Sequence, residues 1–309
     1  MRLSRYERHE KLGEGSYGVV YRATEKQTGR IIALKILKLD NLEEDGVPST
    51  LLREISILKS IKHINIIELI EAQTSTLPIF LAFEYIERDL RSLCMKTREF
   101  KPQSIKSFAF QIISAVFYLH SHRIIHRDIK PDNILISKEG ILKLCDFGMA
   151  RYFTIPMRPY TPHVVTLWYK APELILGGFY ELSIDIWSVG CILYELITSY
   201  PLFPGDGQLD QMMHILKILG TPTEEEYPGF KEKFFSKMSV ELPQLEASDL
   251  AAMMNGADPL LIDLVKRMLR FDPMKRISAK EALQHPYFDE ISCEMRLACV
   301  GDDSCFKQK

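Results

Sequence analysis

The chain has 309 residues, 46% hydrophobic and 26% charged, and its 39 Lys and Arg against 41 Asp and Glu leave a formal net charge of −2. At ~150 residues per domain this is one large domain or two medium ones, long enough to bury a core without disulfides or structural metals. The composition excludes a disordered chain, the near-neutral charge argues against direct nucleic-acid binding, and no run approaches the ~18 apolar residues of a membrane span.

In chain order, the start Met1 to Arg8 lacks the apolar stretch of a secretory signal, so a soluble protein is expected. Gly13-Glu14-Gly15-Ser16-Tyr17-Gly18-Val19-Val20 contains Gly-x-Gly-x-x-Gly, whose glycines let backbone approach phosphates without Cβ clashes. These glycines lead into a β-rich run, Tyr17 to Ala23, whereas a dinucleotide-binding fold needs a helix there, which excludes a dehydrogenase. Lys26-Gln27-Thr28-Gly29 is turn-prone, and Arg30 to Leu37 forms the next strand. Within it, Ile32-Ala33-Leu34-Lys35 places a lysine among apolar residues, where it is costly unless paired. Nucleotide phosphates and Glu54 of the following segment are its natural partners.

Pro48-Ser49-Thr50 opens a helix that runs through about Ser60. On that helix Leu51, Leu52, Ile55, Ile57 and Leu58 cover ~220° at ~100° per residue, wider than one core-facing stripe. Ile64 to Ala72 and Ile79 to Tyr85 read as strands. From Ser104 the pattern becomes helical, with Phe108, Ile112, Val116 and Leu119 on one face and Ile186 to Ile197 as another apolar helix. Pro201 to Gly205 and Gly220-Thr221-Pro222 separate the later helices. The expectation is an α+β chain, a small β-rich lobe followed by a larger α-helical one. Six cysteines without a Cys-x-x-Cys pair give no zinc site and suit a reducing compartment, cytoplasm or nucleus. Cys293, Cys299 and Cys305 read as free thiols in a loose C-terminal tail.

His126-Arg127-Asp128-Ile129-Lys130-Pro131-Asp132-Asn133 matches H-R-D-x-x-x-x-N, and Asp146-Phe147-Gly148 follows at the expected distance. Asp128 can accept a hydroxyl proton, while Asn133 and Asp146 offer hard oxygens for Mg²⁺. With Ala171-Pro172-Glu173 and Asp185 to Gly190, these motifs make the chain resemble the eukaryotic protein kinases from about Tyr6 to Phe288. The resemblance implies a bilobal fold, an N-lobe of about residues 1–86 and a C-lobe of about 87–288, with 289–309 as a tail. Gly46 to Ile55, Val164-Val165-Thr166-Leu167-Trp168-Tyr169-Lys170 and Leu202 to Asp206 further resemble the cyclin-dependent kinases, with Lys170 where arginine is usual. Mitogen-activated kinases would show Thr-x-Tyr where this chain has Tyr160-Thr161.

The resemblance implies a Ser/Thr kinase that transfers the ATP γ-phosphoryl group to Ser/Thr-Pro sites in protein substrates. Lys35 would hold the α- and β-phosphates and Glu54 would hold Lys35. Asp128 would be the base, Lys130 would steady the transferring group, and Asn133 and Asp146 would bind Mg²⁺. The loop Leu12 to Val20, including Gly13, Glu14, Gly15, Ser16, Tyr17, Gly18 and Val19, would cover the nucleotide. Leu12, Val20, Ala33 and Leu135 would sandwich adenine, the Glu84 and Ile86 backbone would bond it, and Phe83 would close the back of the pocket. Cys145 would border the site as a small wall residue, and Glu173 with Arg276 would form a buried ion pair. Cyclin would bind at Leu52 and Ile55. Ser16 and Tyr17 would be inhibitory phosphosites, and Thr161 an activating one read by Arg53, Arg127 and Arg151. A catalytically inactive scaffold of the same fold is the rival, against which the intact Lys35, Glu54, Asp128, Asn133 and Asp146 count.

Overall fold

The computed structural model describes residues 2–15, 18–37, 49–75, 77–152, 166–178 and 180–300. The N-terminal part is a five-stranded antiparallel sheet: β1 (Tyr6–Gly15), β2 (Gly18–Glu25), β3 (Ile31–Leu37), β4 (Leu69–Gln73) and β5 (Phe80–Glu84), in the order β1-β2-β3-β5-β4. Helix α1 (Ser49–Ser60) lies between β3 and β4 in the chain. The turn expected at residues 26–29 forms, with Gly29 at φ +71° donating its N–H to the Glu25 carbonyl (2.8 Å).

Strand alternation divides this sheet into two faces. Ile32 and Leu34 join Tyr6, Ala23, Phe80 and Ala82 in one buried cluster. On the other face Leu37 and Leu81 pack with Leu51 and Ile55 of α1 and with Ile79. Ala33, Lys35 and Phe83 belong to that second face, because Ala33 pairs with Phe83 and Lys35 with Leu81. The strand expected over Ile64 to Ala72 begins only at Leu69. Its first residues leave the sheet instead: Ile66 bridges Leu144, the Ile67 N–H bonds the Leu144 carbonyl (3.0 Å), and both isoleucines join the C-lobe core.

The C-lobe follows as β6 (Arg88–Asp89), α2 (Leu90–Lys96), α3 (Pro102–Ser121), β7 (Ile124–Ile125), β8 (Ile134–Ile136), β9 (Leu142–Leu144), β10 (Arg151–Tyr152), α4 (Pro172–Ile175), α5 (Ser183–Thr198), α6 (Gln208–Leu219), α7 (Phe230–Met238), α8 (Leu250–Met253), α9 (Pro259–Met268), α10 (Ala279–Leu283) and α11 (Cys293–Val300). Phe108, Ile112, Val116 and Leu119 are buried as the periodicity predicts, but so are Phe110, Ile113 and Ala115. Helix α3 is apolar nearly all round because it runs through the core rather than over it. Fully buried Trp187 of α5 stacks on Phe203 at 5.7 Å. Arg276 meets buried Glu173 with two hydrogen bonds of 2.7 and 3.1 Å, forming the expected structural pair.

Two expectations change here. Part of the tail is ordered: α11 packs on α3, with Cys299 buried and Arg296 over the Phe110 ring; Cys305 lies outside the described residues. The wide apolar arc of α1 needs no partner to explain most of its width, because the helix is shared between two cores. Leu51 and Ile55 pack beneath the sheet, while Ile57 and Leu58 join the C-lobe cluster. Only Leu52, 48% exposed, is left open to solvent.

Candidate active site

The segment from β7 to β8 is fixed before any ligand arrives. Buried Asp185, near the start of α5, accepts the backbone N–H groups of His126 and Arg127 at 2.9 Å each. The His120 side chain also bonds Asp185, and these donors hold its carboxyl below the usual range even though burial would raise it. His126 accepts the Asp128 N–H at Nδ1 (3.3 Å), so its Nε2 carries the proton given to the Cys145 carbonyl (3.1 Å). Burial keeps this imidazole's pKa low, as that tautomer requires, and its ring stands edge-on to Phe147 at 4.9 Å. Arg127 takes φ +68° and Asp146 φ +61°, left-handed conformations unusual outside glycine that the surrounding bonds impose.

Asp128 stands at the centre. Its Oδ2 receives Lys130 Nζ and Asn133 Nδ2, both at 2.9 Å, and its Oδ1 receives Lys170 Nζ at 2.8 Å. Burial alone would raise this carboxyl, but the ammonium groups of Lys170 and Lys130 outweigh it and hold the pKa at about 2. Burial meanwhile pushes the Lys170 ammonium below its ordinary value, against the pull of Asp128. Asp128 is therefore an ionised acceptor at neutral pH. The link from Lys170 is a finding of the tertiary structure; the sequence marked the residue only as a departure from arginine.

Asn133 also gives its Nδ2 to the Asp128 backbone carbonyl (2.8 Å). Two acceptors on one side fix the amide orientation and turn its oxygen away from Asp128. Asp146, capping the turn at 147–149 through the Gly148 N–H (3.3 Å), supplies a carboxylate nearby in the chain's architecture, since the Cys145 N–H bonds the Asn133 carbonyl (2.9 Å). Among the described residues no three His, Cys, Asp or Glu side chains form a metal-binding group by themselves. One amide oxygen and one carboxylate suit Mg²⁺, which keeps several of its ligands for water and phosphate oxygens.

On the sheet, Lys35 Nζ reaches Glu54 Oε1 of α1 at 3.3 Å, the expected pair. Burial raises the Glu54 carboxyl, opposed by Lys35 and reinforced by the nearby charge of Asp146. A Cβ on Gly148 would lie 3.2 Å from Asp146 Oδ1 and 3.9 Å from Glu54 Oε2, so Asp146 stands beside the Lys35–Glu54 pair. The register puts Val20 opposite Lys35 and Ala33 opposite Phe83, so these four share the face below the sheet. Phe83, Ile86, Leu135 and Cys145 are half-buried against the C-lobe core, where an aromatic ligand could complete their burial. Burial pushes the Cys145 thiol far up, which makes it a wall residue. Leu12, Gly13 and Glu14 are exposed near the end of β1, with Glu14 paired to Lys11. Glu84 commits its backbone N–H to the Glu68 carbonyl (3.1 Å) and its side chain to Lys143 (2.7 Å).

The glycines of the loop have different causes. A Cβ on Gly18 would lie 2.3 Å from the Ile36 carbonyl oxygen, so strand packing alone demands glycine there. A Cβ on Gly13 would meet nothing within 4 Å among the described residues, so packing against them does not explain that glycine. Gly15 ends β1 and pairs with Gly18. One assignment is corrected: the buried Val19 pairs with Ile36, on the sheet face opposite Val20, so its side chain does not line the nucleotide side.

A second correction concerns Ile55, which is 5% exposed in the N-lobe core and offers no surface to a partner, unlike Leu52. Of the expected phosphate-reading arginines, Arg127 donates to the Met149 carbonyl (2.6 Å) and the Tyr180 hydroxyl (2.8 Å). Arg151 pairs across β10 with Ile125, two residues before Arg127. Arg151 and Arg53 each bury an Nη1 that has no hydrogen-bond partner among the described residues. Ser16, Tyr17 and Thr161 lie outside the described residues.

Compared with known families, the chain matches the model described as protein kinase domain over residues 6–288.

Proposed function

The chain belongs to the protein kinase family, and on that premise we propose that it is a serine/threonine kinase of the cyclin-dependent type, acting on Ser/Thr-Pro sites. The observation that carries the reading is the ionised Asp128, held on both oxygens by Lys170, Lys130 and Asn133, together with the formed Lys35–Glu54 pair. Phosphoryl transfer depends on positioning and electrostatics more than on covalent chemistry, and this arrangement supplies both. Asp128 orients the substrate hydroxyl and accepts its proton. Lys130 lies beside Asp128 where the transferring group must pass, and Lys35 holds the ATP phosphates. Mg²⁺, held by Asn133 and Asp146 when bound, would neutralise phosphate charge.

The cyclin-dependent assignment rests on the sequence resemblance of residues 46–55, 164–170 and 202–206, supported by the exposure of Leu52 on a helix whose neighbouring aliphatics are buried. A partner that covers Leu52 would stabilise the α1 position in which Glu54 meets Lys35. The unpartnered, buried Nη1 atoms of Arg53 and Arg151 favour an anion as their missing acceptor, which supports Thr161 phosphorylation. Phosphate on Ser16 or Tyr17 would add about −1.5 to −2 charge beside the nucleotide phosphates and inhibit.

The test is phosphotransfer to a Ser/Thr-Pro peptide, with and without candidate cyclins, by wild type and Thr161→Ala. Partner-dependent transfer that the alanine variant lacks is expected. Full activity of the purified chain alone would replace the assignment with a cyclin-independent kinase, and nucleotide binding without transfer under every condition would favour the inactive scaffold.

A further inference from the structure

The catalytic loop is gripped from two sides by buried side chains that belong to neither the loop nor its motif. Asp185 takes the loop's outward N–H groups at His126 and Arg127. On the other side Lys170, 4% exposed, donates to the Arg127 carbonyl at 2.6 Å and to Asp128 Oδ1 at 2.8 Å. An ammonium has three donors and no preferred plane, so one Nζ can satisfy a carbonyl and a carboxylate lying in different directions. The carbonyl it takes belongs to Arg127, the residue held at φ +68°.

The distribution of donors on the Asp128 carboxylate is uneven. Oδ2 receives two, from Lys130 and Asn133, while Oδ1 receives one, from Lys170. Each carboxylate oxygen offers about two lone-pair positions, so among the described residues Oδ2 is filled and Oδ1 keeps one position open. We propose that Lys170 is a positioning residue for Asp128, setting the carboxylate plane so that the open position on Oδ1 receives the substrate hydroxyl. Lys130 and Asn133 hold one oxygen only, and rotation about the Cβ–Cγ bond moves both oxygens together. The contact from Lys170 on the other oxygen adds an independent restraint on that rotation while leaving one acceptor position free. The proposal rests on the reading of Asp128 as the catalytic base and goes beyond it by assigning the reacting oxygen and the residue that aims it.

The experiment uses the full chain, activated as for the peptide assay, with Lys170→Met, Lys170→Gln and Asp128→Asn alone and Lys170→Met combined with Asp128→Asn. Misplacing a reacting group by an ångström can cost about 100-fold, so Lys170→Met is expected to lower kcat ~10-fold or more, with KM for ATP and for peptide changed less than about twofold. Lys170→Gln, which keeps a neutral donor, should lie between the two. In the Asp128→Asn background the methionine should remove nothing further, because an amide in place of the carboxylate no longer benefits from being aimed. Wild-type kcat in Lys170→Met overturns the proposal, as does an activity loss that tracks the loss of folded protein on thermal melting. Equal losses in the two backgrounds overturn it as well. Should the methionine variant not fold, Lys170→Gln carries the same comparison. If Asp128→Asn itself keeps wild-type turnover, it is the reading of the base that fails.

Discussion

The catalytic loop and helix α1 both contribute a carboxylate to the site, yet they are held in opposite ways. Asp128 is surrounded by three donors, and its loop is bonded to Asp185, Cys145 and Lys170 on other elements. Among the described residues Glu54 has one ion pair, 3.3 Å to Lys35, and the helix that carries it is divided between the sheet cluster and the C-lobe core. A loop with several independent bonds has one arrangement; a helix with one ion pair and two separable packing surfaces can have two. The difference separates a carboxylate that its loop fixes, Asp128, from one that its helix leaves adjustable, Glu54.

The largest effect expected to test the fixed side is that of Asp128→Asn. The isosteric change should leave the chain folded, with a lowered melting temperature because buried Lys170 and its neighbour Lys130 lose their counter-charge, while turnover falls by at least ~10². Peptide phosphorylation and a melting curve on the same preparation check this, and a failure to fold would show that the loop is less independently held than its contacts imply.

On the adjustable side, neighbouring residues of α1 should behave differently. Ile55→Ala removes side chain from the N-lobe core and should destabilise by ~2–4 kcal/mol, whereas Leu52→Ala, at a half-exposed position, should stay within ~0.5 kcal/mol. Denaturant titration separates them. Leu52→Asp should fold and yet lose partner-dependent activity; Ile55→Asp should not fold well, since it buries a charge without a partner.

Glu54→Gln keeps an acceptor for Lys35 but removes the charge. Charge-assisted bonds are about twice as strong as neutral ones, so a loss of roughly tenfold in kcat/KM is expected, smaller than at Asp128. Saturating partner should recover part of it. If Glu54→Gln were as damaging as Asp128→Asn, the contrast between the two regions would collapse.

The smallest effect lies just after helix α1, at His63. His63 accepts the Asn65 N–H at Nδ1 (3.0 Å) and bonds the Cys299 carbonyl of α11 through Nε2, so the ring must be neutral with its proton on Nε2. Burial lowers its pKa. Above the unfolded value near 6.5 neither state is protonated and the group adds no pH dependence. Below it the unfolded chain binds the proton first, so stability falls as pH drops toward the folded value. Docking of α11, followed by hydrogen exchange of amides 293–300, should loosen by no more than ~1.4 kcal/mol between pH 7.5 and 5.5. His63→Leu should flatten that dependence.

The sequence by itself determined the two lobes, the alternating strands and the apolar helices, because these depend on local periodicity, and its motifs named the candidate site residues. The structure pairs Lys35 with Glu54 and Asn133 with Asp128, and it turns Asp146 onto the Gly148 N–H. Only the tertiary structure decided which apolar residues face a neighbouring element and which face water. Ile55 and Leu52 lie on the same hydrophobic arc, but one meets Leu37 and Leu81 and the other meets solvent. Val19 and Val20 are equally β-prone, and the register with Ile36 and Lys35 sends them to opposite faces. The polar C-terminal sequence predicts a loose tail, whereas helix α11 is ordered by docking on α3 rather than by its own propensity. Lys170 is the plainest case: it lies 42 residues from Asp128 in the chain, and nothing in its neighbourhood there marks it as a partner. Periodicity records that a side chain is apolar or charged; the element that comes to meet it is a property of the whole packed chain.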